Sequence, residues 1–115
     1  MEYLLLIYSN EKDFAVMPQA EHERVTGAYM AYTQALLDGG VLRGGNRLRP
    51  TSATTTVRAA GGKMQTVDGP FAETREQLGG YYLIDVPDLD AALSWAGRCP
   101  GTQYGSIEVR PIWAM

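Results

Sequence analysis

The chain opens on Tyr3-Leu4-Leu5-Leu6-Ile7-Tyr8, an unbroken apolar run between Glu2 and Ser9-Asn10. A run this short, bounded by turn formers, predicts a strand, and because successive strand side chains point to opposite sides of a sheet, both faces of this one are apolar. After a polar stretch, Pro18 is placed in a first helical turn with Glu21 and Glu23 close behind it. Val25, Tyr29, Tyr32 and Leu36 then recur at spacings of four, three and four. That spacing makes one stripe of an amphipathic helix, which Gly39-Gly40 ends.

Val41 to Leu48 reads as an irregular strand, interrupted by Gly44-Gly45 and closed by Arg49-Pro50, the marks of a bulge or an edge position. Thr54 to Ala60 is β-branched and alternating, Gly61-Gly62 supplies a tight turn, and Lys63 to Asp68 returns as the second strand of a hairpin. Gly79-Gly80 opens a second strongly apolar strand, Tyr81-Tyr82-Leu83-Ile84 with Val86. Pro87-Asp88 starts a helix whose Leu89, Ala92, Leu93 and Ala96 share a face and which ends near Gly97 and Cys99-Pro100-Gly101. A last strand places Ile107, Val109 and Trp113 on one side.

This order predicts a single domain over residues 1–115 with an α+β, ferredoxin-like architecture: an antiparallel sheet, two helices on one face and an inserted β-hairpin. Two helices cover one face of a sheet, yet the strands Tyr3 to Tyr8 and Tyr81 to Val86 are apolar on both. A second copy packed sheet to sheet resolves the mismatch, so the expected assembly is a homodimer, a dimeric α/β barrel.

Composition narrows the class of molecule. With 115 residues, 45% of them hydrophobic, and a net charge of −3, the chain has the make-up of a globular domain and the wrong charge for a nucleic-acid partner. No apolar run approaches the roughly 20 residues of a membrane span, so the expectation is a cytosolic protein with no membrane partner. The lone Cys99 precludes an intrachain disulfide, and no Cys/His cluster has metal-ligand spacing, so neither metal nor cofactor is expected.

Candidate chemistry concentrates in Asp68-Gly69-Pro70-Phe71-Ala72-Glu73-Thr74-Arg75-Glu76. An Asp commonly caps its own turn through the N–H two residues on, but Pro70 has none, so Asp68 finds another donor or faces ligand or solvent. A plain structural turn and an aimed carboxylate both satisfy the pattern. Under the second, Asp68 is the acid/base or orienting group, with Arg75 and Glu73 as substrate-binding residues. His22, the one histidine, is an auxiliary catalytic candidate in the first turn of its helix; a solvated surface histidine is the plainer alternative. Eight of the ten basic residues are arginines, and Arg43, Arg47 and Arg49 fall on one side of an ideal strand, where they protect an edge or hold an anion. Arg43 is the substrate-binding candidate among them. Tyr81, Tyr82 and Tyr104 could donate hydrogen bonds from the walls of a pocket, with Tyr82 the substrate-binding candidate; core packing is the plainer alternative for these three and for Tyr29 and Tyr32.

Asp68-Gly69-Pro70-Phe71, the opening strand, the stretch from Glu76 to Val86 and the ending Gly105-Ser106-Ile107-Glu108-Val109-Arg110-Pro111 together strongly resemble the DGPF branch of the YCII-related family. The resemblance covers nearly the whole chain and implies a dimeric ferredoxin-like fold without a settled activity. For some relatives it implies a histidine and aspartate acid/base pair, and for one branch the dehydrochlorination of chlorinated hydroxyquinols. Here the family aspartate corresponds to Asp38, whereas the histidine position falls near Thr26 and His22 lies about one turn too early. That activity is therefore not transferred. Two functions follow: a small polar or anionic molecule bound near Asp68 to Arg75, or a non-catalytic regulatory module. The latter accords with the sigma factors often found beside family members and implies a transcription-related protein partner.

Overall fold

The apolar run at the amino terminus becomes the interior strand on which the rest is registered. The computed structural model describes residues 1–114, in the order β1 (Glu2–Ser9), α1 (Glu11–Ala15), α2 (Gln19–Asp38), β2 (Leu42–Arg47), β3 (Thr55–Ala60), β4 (Lys63–Asp68), β5 (Gln77–Asp85), α3 (Leu89–Arg98) and β6 (Gly105–Pro111). Short 3₁₀ turns at Thr51–Ala53 and Pro100–Gln103 precede β3 and β6. Four strands form an antiparallel sheet in the order β2-β5-β1-β6, while β3 and β4 pair only with each other. The fold is the expected α+β, ferredoxin-like one with an inserted hairpin.

Register decides which side chains meet the helices. Tyr3 stands opposite Ile84, and Leu5 stands opposite Tyr82 on one side and Val109 on the other, so these residues share the face that α2 and α3 cover. The core closes around Tyr3, Leu5, Ile84 and Val86 from the sheet side, Val25, Tyr32 and Leu36 from α2, and Ala92, Ala96 and Cys99 from α3 and its end. Leu5, Leu36, Ile84 and Cys99 are fully buried. The opposite parity carries Leu4, Leu6, Tyr81 and Leu83, all partly accessible, on the face with no helix.

Several expectations need correction. The polar stretch after β1 contains the short helix α1, started by Asn10, whose side-chain oxygen accepts from the N–H groups of Lys12 at 2.9 Å and Asp13 at 3.1 Å. Pro18 lies just before α2, with extended ψ, and its carbonyl accepts from Glu21 and His22. On α3 the small Ala92 and Ala96 are buried, but Leu89 and Leu93 are 48% and 49% exposed, because the helix sits close to the sheet along its alanines. The last strand stops at Pro111, which has no N–H for the ladder, and Trp113 lies beyond it, 90% exposed.

Candidate functional site

Because β5 and β6 both run antiparallel to β1, the end of β1 meets the beginnings of its neighbours: Ser9 is opposite Gln77 on one side and Gly105 on the other. Asn10, Glu76 and Tyr104, the residues next to these, are therefore carried to one end of the sheet. The start of α2 reaches the same end, since the Tyr104 hydroxyl donates to Glu21 Oε1 at 2.6 Å, and the other Glu21 oxygen pairs with Arg24.

Polar contacts fix the surroundings. The Glu11 N–H donates to Gln77 Oε1 at 3.0 Å, and its carboxylate accepts from the Thr51 N–H and hydroxyl, both at 2.7 Å. Gln77 Nε2 donates to the Thr74 carbonyl at 2.5 Å, the Thr74 hydroxyl to the Glu76 carbonyl at 2.6 Å, and the Ser106 hydroxyl to Glu76 Oε1 at 2.9 Å. Between these groups opens a cleft of about 390 Å³ lined by Asn10, Asp13, Arg75, Glu76 and Tyr104. Arg75 forms no ion pair within 4.0 Å among the described residues, although two carboxylates line the same cleft. A guanidinium fork beside carboxylate, amide and phenol oxygens suits a small molecule with one anionic group and hydroxyls or other donors.

A longer groove of about 520 Å³ runs along α2 past Ala28, Ala31 and Ala35. Its arginines are already engaged, Arg24 by Glu21 and Arg98 over the Trp95 ring at 4.4 Å, so its walls offer mainly methyl groups.

The other expected site residues are dispersed. His22 meets the edge of Phe14, ring centroids 4.5 Å apart at 86°, and Arg47 lies over the same ring at 5.8 Å. The imidazole is thus packed against an aromatic post at the cleft end of the sheet, with no carboxylate in hydrogen-bond reach among the described residues. Asp38 lies sixteen positions further along α2, about 24 Å of helix, so the two cannot act as a pair within one chain. Asp68 ends β4 on the hairpin, exposed. The turn's backbone is held by the Gly69 N–H on the Thr54 carbonyl at 2.7 Å and the Thr56 hydroxyl on the Gly69 carbonyl at 2.7 Å, and no donor of the described chain reaches the Asp68 carboxylate. Glu73 is exposed on the segment leading to Arg75.

Tyr82 and Arg43 are elsewhere. Tyr82 points under α2, where its hydroxyl meets Thr33 Oγ1 at 2.7 Å and its ring stands edge-on to Tyr32 at 5.4 Å; it is a core residue, not a cleft wall. Arg43 sits at the opposite end of the sheet, its guanidinium donating to the Gly40 and Leu42 carbonyls and pairing with Asp85 at 3.7 Å. Asp85 also accepts from the terminal ammonium at 2.9 Å; that hydrogen bond, with the two positive charges, holds its carboxyl below the usual range. The arginine stripe does not form either: a bulge falls between Leu42 and Gly44, Arg47 turns to Phe14, and Arg49 lies past the strand.

Asn10 and Asp13 were not legible as cleft residues; an Asn followed three residues later by an Asp is the helix-start signal that would have placed them there. Among the described residues no group of three or more His, Cys, Asp or Glu side chains is placed to hold a metal ion, and no helix is long and apolar enough to cross a membrane.

The YCII-related domain model matches residues 1–115. An uncharacterized protein of Rhizobium meliloti (strain 1021) is 41% identical over 116 residues, covering 97% of this chain and 92% of that protein. Among solved structures, a 5-chloro-2-hydroxyhydroquinone dehydrochlorinase of Burkholderia phenoliruptrix AC1100, in complex with 2,5-dihydroxybenzoquinone, superposes with a TM-score of 0.51 at 15% identity over 98% of this chain and 94% of that one. At that identity the likeness is one of fold.

Proposed function

Since the chain belongs to the YCII-related domain family, we propose that it is a cytosolic homodimer that binds a small anionic molecule in the cleft at the sheet end. The observation that carries this reading is the Arg75 guanidinium, free of an ion pair among the described residues yet lining a cleft with Asp13, Glu76, Asn10 and Tyr104. Arg75 anchors the anionic group, and the carboxylates accept from the ligand's hydroxyls. Asp68, a carboxylate with no donor from its own chain among the described residues, is the acid/base or orienting candidate of this reading, standing on the hairpin outside the lining of this cleft, with Glu73 on the segment that leads from it to Arg75. His22, packed against Phe14 and outside the cleft lining, stays an auxiliary candidate only. The dimer in this reading joins two copies through Leu4, Leu6, Tyr81 and Leu83, the apolar sheet face that no helix covers.

A calorimetric titration tests the site. The probes are 2,5-dihydroxybenzoquinone, a small acidic quinone, and a set of small carboxylic and phosphoric acids. Arg75→Gln should weaken the best probe at least tenfold, about 1.4 kcal/mol, in line with loss of a charged hydrogen bond. Asp68→Asn should abolish turnover or weaken binding while leaving the melting temperature nearly unchanged. A large stability loss in Asp68→Asn would mark a structural turn, and a best probe bound equally by wild type and Arg75→Gln would remove the site.

A further inference from the structure

The hairpin β3–β4 extends from a domain that does not cover it. Of its twelve strand residues, all but Thr56 are exposed. Its register is regular, Thr55 opposite Asp68, Val57 opposite Thr66 and Ala59 opposite Met64, so one side of the ribbon gathers Val57, Ala59 and Met64 beside Thr55, Thr66 and Asp68, and the other carries all the basic residues, Arg58 and Lys63, with Gln65, Thr56, Ala60 and Val67. Val57 is 54% exposed and Met64 70%. A two-stranded ribbon with a bare apolar side is marginal in water unless something packs on that side.

The ribbon is tied to the body on its outgoing leg, where Glu11 accepts from Thr51 and the Leu48 N–H donates to the Gly79 carbonyl at 2.9 Å, while the Gly69 and Thr56 bonds close the hairpin's own base.

The size of the missing cover is measurable. The chain exposes 8077 Å², whereas a compact monomer of its 12.6 kDa exposes about 6,200 Å². Its radius of gyration is 16.1 Å against about 13 Å for a compact domain of this length. The excess, about 1,900 Å² per chain, is what each partner of an obligate homodimer buries. Charge points the same way: the arm, residues 55–68, carries a net +1 and the remainder of the chain −4, so the arm complements the body of another copy.

We propose that β3–β4 is a dimer clasp, whose Val57, Ala59 and Met64 side packs on a second copy of this chain and carries the Asp68–Phe71 turn to it. The clasp rests on the sheet-face dimer proposed above and adds a second contact to it. One two-fold axis then covers both arms and both open sheet faces.

Sedimentation of the full chain over a concentration series tests the clasp. Val57→Lys combined with Met64→Lys should raise the dimer dissociation constant at least thirtyfold, while Gln65→Lys, on the opposite side of the ribbon, should change it less than threefold. A double variant that dimerises like wild type overturns the clasp. Methionine oxidation of the unaltered protein checks it without any variant: Met64 should oxidise at least fivefold more slowly in the dimer than in the dilute monomer, with Met30, 70% exposed on α2, as the unprotected reference. Equal oxidation of Met64 and Met30 in a wild-type dimer removes the clasp alone. A chain that stays monomeric at every concentration removes the sheet-face dimer with it.

Discussion

Beneath α2, hydroxyl groups are matched one to one. The Thr33 hydroxyl donates to the Tyr29 carbonyl at 2.9 Å, which leaves its oxygen to accept from Tyr82, and the Tyr32 hydroxyl donates to the Trp95 carbonyl at 2.7 Å. Tyr82→Phe should therefore lower stability by about 1 kcal/mol in chemical denaturation and leave probe binding in the cleft unchanged. Burial pushes the phenols of Tyr29 and Tyr32 well above their usual range, with the nearby Cys99 adding to the shift, and burial also raises Tyr82. Raised values mean that the folded chain keeps protons the unfolded chain releases, so this stability is complete below about pH 10 and falls as pH rises further. Of the seven tyrosines, these three should ionise at 295 nm only as the helical circular dichroism signal disappears; ionisation with the helices intact would contradict their burial. Tyr29 and Tyr32 were legible as core from their helical spacing. Tyr82 was not, because an apolar strand gives both parities alike and only pairing with β1 decides which one faces α2.

Elements are positioned by contacts that leave no room for a side chain at certain glycines. A Cβ on Gly105, at the start of β6, would lie 1.9 Å from the Tyr8 carbonyl oxygen, whereas one on Gly44 in β2 would meet nothing within 4 Å. Gly105→Ala should thus cost roughly 3 kcal/mol or more in thermal or denaturant unfolding, since two backbones must separate, while Gly44→Ala stays within about 0.5 kcal/mol of wild type. The reverse ranking would mean that β6 is not seated against β1 as described. Strands, helices and the hairpin were all readable from periodicity and turn chemistry. What escaped was short or irregular: α1 has only five residues, too few to show a helical period, and β5 begins at Gln77 because its ladder with β1 resumes at Leu78 and Gln77 past a bulge at Gly79. The cleft escaped for a related reason, since its walls come from three separate segments that only the antiparallel register brings together.

At the scale of the molecule, the dominant fact is how flat and extended the chain is, 48 × 44 × 19 Å, with helices on one side of the sheet and an arm projecting from it. In the proposed dimer, burying the open face and the arm in a second copy makes folding and association one process, so apparent stability is expected to depend on protein concentration. The size of that dependence follows from the unfolding enthalpy. At about 0.7 kcal/mol per residue, two chains of 115 residues absorb roughly 160 kcal/mol, which makes the melting temperature rise by about 3 °C for each tenfold increase in concentration. Differential scanning calorimetry from micromolar to near-millimolar protein reads this directly, provided unfolding is reversible. A melting temperature constant across that range would show that a single chain is the cooperative unit, and that the open face and the arm are stable in water unaided.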